Sequence, residues 1–254
     1  MRDAIRSPFA QDLVERFARF RVVLVEPKFS GNLGLVARAM STAGFTDLHL
    51  VRPRAAVDPE ARNLAMAGRP ILDSATAHES LEQALVGIDL ALAVTRFGGR
   101  MRPNPVSPAG AARLLLDLLP GSRAALVFGA EDRGLSRADC APAWAFVSIP
   151  TGGSGSLNLA LAVAVVLHAF AARALERVPE GSLAAEERAS AARRLIELLT
   201  SVGFLEPADS PHLVPKVLAT LARLELDARE IKILHGVLGQ LEKHLRPINE
   251  GPAS

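Results

Sequence analysis

The stretch IPTGGSGSLNLALAVAVVLHAF, from Ile149 to Phe170, joins a run of glycine and serine residues directly to a long apolar segment. The glycine- and serine-rich run extends from Gly152 to Ser156, and Asn158 stands in the first turn of the apolar helix that follows. Such a loop is either an ordinary connection to a core helix or a segment that must pass close to a ligand or to its own chain. The rest of the sequence decides between these interpretations.

The composition indicates a globular protein with a packed core. The chain has 254 residues, of which 49% are hydrophobic and 22% charged, and its formal net charge is +2. This length allows one large domain, or one medium domain with a small companion. The single cysteine, Cys140, excludes an internal disulfide framework and a cysteine-based metal cluster. We find no membrane span, and residues 1–17 do not resemble a signal peptide, so we expect a cytoplasmic protein.

The cationic residues are mostly arginine, since only four of the 29 are lysine. Arginine suits phosphate because its planar guanidinium group can donate to two oxygens at once. An excess of arginine is equally expected from a GC-rich genome. Aromatic residues make up only 4% of the chain, and there is no tyrosine. This argues against a protein that reads single-stranded RNA mainly by aromatic stacking.

Short apolar runs alternate with helical patterns along the first two thirds of the chain. The predicted strands are Arg21–Pro27, Asp47–Pro53, Ile88–Thr95, Arg123–Ala130 and Ala145–Pro150. The helical patterns lie around residues 33–43, 79–86, 108–119 and 157–177. This alternation predicts an α/β fold, with a parallel sheet and helices on both of its faces.

The first of these helices carries capping signals. Asn32 is the expected N-cap and Gly44 the residue that ends the helix. Gly34 and Arg38 are four residues apart, so we expect Gly34 to leave open space beside the arginine.

The composition changes after about residue 174. Residues 176–187 are polar and rich in turn-forming residues, which predicts a linker. The remainder shows only helical patterns. We therefore expect an α/β domain over residues 1–175 and a small all-helical domain over residues 188–254.

Three segments that follow predicted strands combine small residues with a few polar ones. They are Ser30–Met40, Phe128–Ser136 and the loop after Ile149. Ligands bind at the carboxyl ends of strands in open α/β sheets. The chain lacks the P-loop, the G-x-G-x-x-G pattern and the G-x-S-x-G elbow, which disfavours phosphoryl transfer and esterase chemistry. One such segment alone would be a capped turn, but three in this order favour a ligand site.

The three segments resemble motifs 1, 2 and 3 of the SpoU group of SPOUT RNA methyltransferases. The residues that carry the resemblance are Asn32, Gly34 and Arg38, then Phe128, Gly129, Glu131, Gly134 and Leu135, then Ser156, Leu157, Asn158, Leu159, Ala160, Ala162 and Val163. The later segments GFLEP and EIKILHGVL resemble the C-terminal extension of the TrmJ-type tRNA 2′-O-methyltransferases.

The resemblance implies a trefoil knot at the end of the α/β domain, whose loops hold S-adenosylmethionine. We then expect Gly152, Gly153 and Gly155 to remove side chains that would clash where the chain is threaded. Asn158 could bond a carbonyl and an amide group at once. The apolar helix 157–170 would serve both as core and as the surface of a homodimer formed through the knot region.

The resemblance also assigns the cofactor site, with no metal. The expected contacts are Thr95, Gly129, Glu131, Gly134, Ile149, Ser156, Leu157 and Asn158. One departure from the family pattern lies in TRFGGRMR, residues 95–102, where Phe97 stands in place of a small residue.

A ribose hydroxyl is a weak nucleophile, so an enzyme of this kind must align it and stabilise its oxygen. No histidine lies in the three motifs, and His49 alternates with leucines in a strand, which indicates a structural role. By resemblance, Arg38, Asn32 and Ser156 are the expected catalytic residues. An arginine stays protonated, so we expect Arg38 to donate to the alkoxide and a phosphate rather than to remove a proton. Arg38, Arg96 and Arg100 are the expected RNA contacts.

The resemblance implies a tRNA 2′-O-ribose methyltransferase, and we expect it to act at the pyrimidine nucleotide 32 of the anticodon loop. Methylation of ribosomal RNA is the alternative within the class. A non-catalytic RNA-binding protein on the same fold is the alternative outside it. An unrelated nucleotide-binding α/β protein would need a phosphate-binding loop that the sequence does not contain.

Overall fold

The computed structural model divides the chain into two compact units. It describes residues 8–96, 105–119, 121–152, 155–176, 184–205, 213–214, 217–218, 220–221, 226 and 228–245. The first unit comprises residues 1–112 and 121–176, and the second comprises residues 113–120 and 177–254.

The first unit is built on a six-stranded sheet in which every pair of neighbours is parallel. The strands are β1 (Phe20–Val25), β2 (Asp47–Val51), β3 (Thr76–His78), β4 (Leu90–Val94), β5 (Ala124–Phe128) and β6 (Ala145–Val147). Their order in the sheet is β3-β2-β1-β5-β4-β6. The predicted α/β class with a parallel sheet is confirmed. Strand β3 was missed because it has three residues at the sheet edge and no apolar run.

Helices connect these strands and cover the sheet. They are α1 (Pro8–Phe17), α2 (Ser30–Ala43), α3 (Pro59–Ala65), α4 (Arg69–Asp73), α5 (Leu81–Ala84), α6 (Pro108–Arg113), α7 (Arg137–Cys140) and α8 (Leu159–Leu175). A 3₁₀ turn, Met66–Gly68, separates α3 from α4. The sequence did not predict α3 and α4, whose few residues are too short a window for a periodic apolar stripe.

Both faces of the sheet are buried, as a parallel sheet requires. On one face, the fully buried rings of Phe17, Phe20, Phe45 and Phe170 pack together. This cluster joins α1 and α8 to the start of β1. On the other face, Val23 and Val25 belong to a second apolar cluster with residues of β4 and β5. Strand β1 therefore holds the two cores together.

Helix α2 differs from its prediction in two respects. It begins at Ser30 after Phe29, so Asn32 lies inside the first turn and is not the N-cap. Gly34 does not open space beside Arg38, because a Cβ atom added there would lie 2.2 Å from the carbonyl oxygen of Ala61. The glycine instead allows α3 to pack directly on the backbone of α2. The predicted end of the helix at Gly44 is confirmed, with a left-handed φ of 86°.

The structural role predicted for His49 is confirmed, in a polar cluster that the sequence did not reveal. His49 is buried, its Nδ1 lies 2.6 Å from Nε2 of His78, and its Nε2 lies 2.9 Å from a carboxylate oxygen of Asp47. Burial and the neighbouring His49 lower the pKa of His78. Pairing of β2 with β3 brings the two histidines together, although they are 29 residues apart in the sequence.

The second unit contains α9 (Ala184–Ser201) and the helix that we call α10 (Ala228–Leu245). Arg194 of α9 donates from two nitrogens to the carboxylate of Glu242 of α10, at 3.0 and 2.8 Å. The expected domain boundaries need two corrections. Helix α9 begins within the expected linker, and the π-helical turn Leu114–Leu118 packs against α9, which assigns it to the second unit.

Among the described residues, no helix is long and apolar enough to cross a membrane. The trefoil knot stays a prediction.

The close packing of α2 on α3 predicts that Gly34→Ala destabilises the first unit by about 1–3 kcal/mol, the usual effect of overpacking. Alanine's better helix propensity offsets only part of this, about 1 kcal/mol, because a backbone carbonyl cannot rotate out of the way. Urea unfolding followed by fluorescence measures the effect, since the only tryptophan, Trp144, lies in the first unit.

Gly121→Ala is the matched control, because a Cβ atom there would meet no atom of the described residues within 4 Å and its φ is not left-handed. We expect a change of at most about 1 kcal/mol, toward greater stability. Equal unfolding midpoints for the two variants would show that α3 does not pack on Gly34 as described.

Candidate functional site

A cleft of about 260 Å³ opens at the carboxyl ends of β4, β5 and β6. Seven of the eight expected cofactor contacts line it, namely Thr95, Gly129, Glu131, Gly134, Ile149, Ser156 and Leu157. Further lining residues that the sequence did not single out are Val94, Ala130, Asp132, Arg133 and Thr151. Asn158 is not among the lining residues. The structure thus brings the second and third motif segments together at one edge of the sheet, where α/β proteins bind ligands.

The second motif forms a tight turn because of its two glycines. A Cβ atom added to Gly129 would lie 2.1 Å from the carbonyl carbon of Gly134. Gly134 has a left-handed φ of 67° and donates its amide to the carbonyl of Ala130 at 2.8 Å. Side chains at these two positions would clash or strain the backbone. The turn presents Glu131 toward the first motif.

Glu131 joins the second motif to the first. Its carboxylate accepts from the backbone amides of Lys28 and Phe29, at 3.0 and 3.3 Å, and from Nδ2 of Asn32 at 2.8 Å. Lys28 also pairs with Asp132, and its hydrogen bond lowers the pKa of that carboxyl group. Glu131 was expected to contact the cofactor. The structure shows it along the cleft wall and bonded to the segment that starts α2.

Asn32 then joins the first motif to the third. Its Oδ1 accepts from Nδ2 of Asn158 at 3.0 Å, and the residue is only 7% exposed. Asn158 in turn caps α8, because its Oδ1 accepts from the amides of Ala160 and Leu161 at 2.8 and 3.4 Å. Asn158 therefore precedes the helix as its N-cap, whereas the sequence predicted that it lies in the first turn. Asn32 does not line the cleft. One chain of hydrogen bonds, Glu131–Asn32–Asn158, connects all three motifs.

The glycines of the third-motif loop were expected to avoid clashes where the chain is threaded, and the described residues show no such close approach at Gly152 or Gly155. A Cβ atom at Gly152 or Gly155 would meet no atom of the described residues within 4 Å, so neither glycine avoids a clash with that part of the chain. Gly153 lies outside the described residues. Gly155 lines the cleft beside Ser156 and Leu157. The space beside the Cα of Gly155 is therefore not filled by any described residue.

The hydroxyl group of Thr95, at the end of β4, has no hydrogen-bond partner in the part of the chain that the structure describes. The backbone amide of Thr95 donates to Val147 at 2.8 Å, whereas its Oγ1 is buried. Buried hydroxyl groups normally have partners. A polar ligand in the cleft could donate to this hydroxyl group or accept a hydrogen bond from it.

The expected RNA-contacting arginines are spread along the surface. Arg38 is exposed on α2, does not line the cleft, and its side chain has no hydrogen bond or ion pair within the described ranges. Arg96 is exposed at the cleft edge, where its carbonyl accepts from Ser148 at 2.7 Å. Arg100 and Phe97 lie outside the described residues. Within the described part of the chain, no group of three or more histidine, cysteine, aspartate and glutamate residues could hold a metal ion.

The hydrogen bond between Asn32 and Asn158 predicts that Asn32→Ala and Asn158→Ala each destabilise the first unit by about 1–3 kcal/mol. Asn158→Ala leaves the buried amide oxygen of Asn32 without its partner, and Asn32→Ala removes the hydrogen bonds to both Glu131 and Asn158. The double variant should lose about 0.5–3 kcal/mol less than the sum of the single variants, since both remove the same bond. Trp144 fluorescence during urea unfolding measures all three values.

As a control, Asn32→Ala combined with Arg16→Ala should be additive within about 0.5 kcal/mol. Arg16 lies in α1, whose Leu13 is beside Gly44 at the end of α2 away from Asn32. If the effects of Asn32→Ala and Asn158→Ala on stability were additive, the hydrogen bond between the two residues would be contradicted.

Comparisons with known proteins agree with this geometry. The model of the SpoU rRNA Methylase family matches residues 19–168, and that of the tRNA methyltransferase TrmJ C-terminal domain matches residues 193–250. A tRNA (cytidine/uridine-2′-O-)-methyltransferase TrmJ from Pectobacterium atrosepticum is 32% identical over 233 residues, which are 88% of this chain and 96% of that protein. A tRNA (cytidine/uridine/adenosine-2′-O-)-methyltransferase TrmJ from Pseudomonas aeruginosa is 31% identical over 248 residues, 91% of this chain and 96% of that protein.

Two solved structures extend the likeness to the fold. A probable methylase family protein from Haemophilus influenzae has a TM-score of 0.65 and 26% identity, over 91% of this chain and 99% of that one. TrmJ from Z. mobilis has a TM-score of 0.55 and 28% identity, over 87% of this chain and 98% of that one. The chain therefore belongs to the SpoU methylase family, and within it to the TrmJ-type RNA 2′-O-methyltransferases.

Proposed function

We propose that the protein transfers a methyl group from S-adenosylmethionine to a ribose 2′-hydroxyl of tRNA, at the pyrimidine nucleotide 32 of the anticodon loop. The observation that carries this proposal is the cleft lined by the second and third motifs, to which hydrogen bonds of Asn32 with Glu131 and Asn158 join the first motif. The relatives' names support tRNA as the substrate and a 2′-hydroxyl as the acceptor. Nucleotide 32 rests on the resemblance to the TrmJ type. Action on tRNA would place the protein in the cytoplasm.

The cleft suits a polar, adenosine-bearing cofactor. Val94, Phe128 and Leu157 give apolar walls, while the orphan Oγ1 of Thr95 provides a hydrogen-bonding group. The open side of Gly155 admits a ligand next to the backbone. Small-molecule sites of this kind combine mostly apolar walls with a few placed polar groups. Asn158 would act indirectly, by fixing the start of α8 and the loop before it.

S-adenosylmethionine, when bound, supplies a methyl group already activated by its sulfonium charge. The protein must then hold the ribose oxygen in line and stabilise its developing charge. Ser156 is exposed and lines the cleft, so we assign it to substrate positioning. Arg38 keeps its guanidinium group free of other described side chains and permanently charged, which suits it to the alkoxide and a neighbouring phosphate. Asn32 acts as the positioning residue between the motifs.

We further propose a homodimer formed through α8. Leu161 and Val165 are 57% and 41% exposed on this helix, and Leu35 of the neighbouring α2 is 38% exposed. Exposed apolar side chains grouped on packed helices are typical of protein interfaces. Association of two chains over this surface would bury them.

The second unit, residues 113–120 and 177–254, is proposed to select the RNA. Its support is the separate match of residues 193–250 to the TrmJ C-terminal domain. Ribosomal RNA remains the second candidate substrate, favoured by the description of the family that matches residues 19–168. Membership of an enzyme family disfavours the non-catalytic alternative.

The orphan hydroxyl predicts opposite effects of Thr95→Val on stability and on cofactor affinity. Removing an unsatisfied buried hydroxyl should leave the unliganded protein as stable or more stable by about 1 kcal/mol. If a bound cofactor satisfies this group, calorimetry should show that S-adenosylhomocysteine binds about tenfold more weakly, which corresponds to about 1.4 kcal/mol. Thr95→Ser, which keeps the hydroxyl, is the control. Unchanged affinity in Thr95→Val would show that the cofactor does not contact this residue.

Mass spectrometry of nucleosides tests the reaction itself. We expect the protein with labelled cofactor to methylate a ribose of tRNA, and to leave ribosomal RNA unmodified. Arg38→Ala should lower the rate at saturating RNA by roughly two to three orders of magnitude, the range for one preorganised donor. Arg16→Ala, another exposed helical arginine, should retain full activity. If ribosomal RNA were labelled and tRNA were not, the proposed tRNA substrate would be wrong. Full activity of Arg38→Ala would show that Arg38 does not have the proposed catalytic role.

A further inference from the structure

A buried carboxylate with three arginines lies beside the cleft. Glu26 is 8% exposed, and its Oε1 contacts Nε of Arg52 at 3.3 Å and a terminal nitrogen of Arg133 at 2.7 Å. Its Oε2 accepts from Arg54 at 2.6 Å. The three arginines come from two separate segments, the end of β2 and the turn of the second motif.

The backbone holds Glu26 and Arg52 in an uncommon conformation to make these contacts. Both residues directly follow adjacent parallel strands, and both have a left-handed φ, 50° for Glu26 and 44° for Arg52. The amide of Glu26 donates to Val51 and that of Arg52 donates to His78, each at 2.8 Å. Residues with side chains rarely adopt this conformation, and it occurs often at functional sites. The strain thus lies at the edge of the sheet where ligands bind.

Glu26 and its three arginines carry more positive charge than is needed to neutralise one buried carboxylate. Burial alone would raise the pKa of Glu26, but the hydrogen bonds and charges of the three arginines lower it below its ordinary value. The carboxylate is therefore ionised at neutral pH. Arg52 is also near Asp139, at 3.5 Å. Three guanidinium groups against these two carboxylates leave one positive charge.

The arginines also keep unused donors that face solvent. Their side chains are 40%, 56% and 47% exposed for Arg52, Arg54 and Arg133, whereas that of Glu26 is 10% exposed. Each guanidinium has five N–H groups, and each uses one toward Glu26. A guanidinium that is already held in position loses less entropy when it binds an anion. Such preorganised groups suit the paired oxygens of a phosphate.

We propose that Arg52, Arg54 and Arg133, held by Glu26, bind a backbone phosphate of the RNA substrate at the side of the cleft. The inference rests on the proposed function and identifies where that substrate's backbone lies. Arg133 lines the cleft itself, so this phosphate would belong to a nucleotide close to the one that is methylated. Glu26 is a positioning residue in this arrangement and does not touch the RNA.

Binding of tRNA at several salt concentrations, measured apart from turnover, tests the proposal. Arg54→Gln and Arg133→Gln should each weaken tRNA binding by about tenfold to a hundredfold, as for one lost hydrogen bond between charged groups. Each should also reduce the slope of log affinity against log salt by about 0.7–0.9, the value for one phosphate contact. Arg54→Lys should keep most of the slope but recover only part of the affinity, because a point charge cannot replace the fork.

Arg16→Gln is the matched control, with a side chain that is 54% exposed and paired with Asp12 on α1. It should leave affinity and slope unchanged, and thermal unfolding should show that all the variants are folded. If folded Arg54→Gln and Arg133→Gln bind tRNA with native affinity and slope, the cluster only ties loops together and the proposal is wrong. If the unaltered protein binds tRNA but transfers no methyl group, while the two variants bind more weakly as predicted, the proposed reaction is wrong and the phosphate site is supported.

Discussion

The side chain of Asn32 connects the functional parts of this molecule. It donates to Glu131 and accepts from Asn158, so one buried amide joins the start of α2, the turn after β5 and the cap of α8. These segments are about 100 residues or more apart in the sequence. An amide can do this because it carries both a donor and an acceptor, whereas a carboxylate or an ammonium group could satisfy only one side. The cleft wall and the loop before α8 depend on that contact.

The remaining groups around the cleft are then free to face other molecules. Thr95 and Gly155 point to a ligand inside the cleft, since no described residue bonds the hydroxyl group of the one or fills the space beside the Cα of the other. Arg38, Arg52 and Arg54 present exposed guanidinium groups outside it, and Arg133 does so at its wall. The inner surface therefore suits a small cofactor and the outer surface suits a polyanion. A methyl transfer to RNA needs both at once.

Local patterns predicted the fold class well, because strands buried on both faces are continuous apolar runs and the intervening helices have their own period. These local patterns gave wrong predictions for residues whose roles depend on contacts with distant parts of the chain. Asn32 resembles an N-cap in the sequence, yet its partner is Asn158. In the sequence Gly34 is expected to leave room for the side chain of Arg38, yet in the structure it is α3 that packs against this glycine.

The site shows the same limit. The motifs located the cleft residues, but spacing along the chain could not reveal that Glu131 and Asn32 bond each other. Nor could it show that Arg133 and Arg52 share the carboxylate of Glu26, since 81 residues separate the two arginines. The π-helical turn Leu114–Leu118 joined the second unit for a similar reason, because its partner α9 lies far along the chain.

A crystal structure of the protein with S-adenosylhomocysteine tests the central claim most directly. The account predicts a ligand in the cleft beside Gly155, with a polar atom within about 3.5 Å of Oγ1 of Thr95. Asn32 should still bond both Glu131 and Asn158, and Asn158 should still cap α8. A ligand bound elsewhere on the chain, or one that takes Asn158 away from Asn32 to bond it directly, would contradict the account.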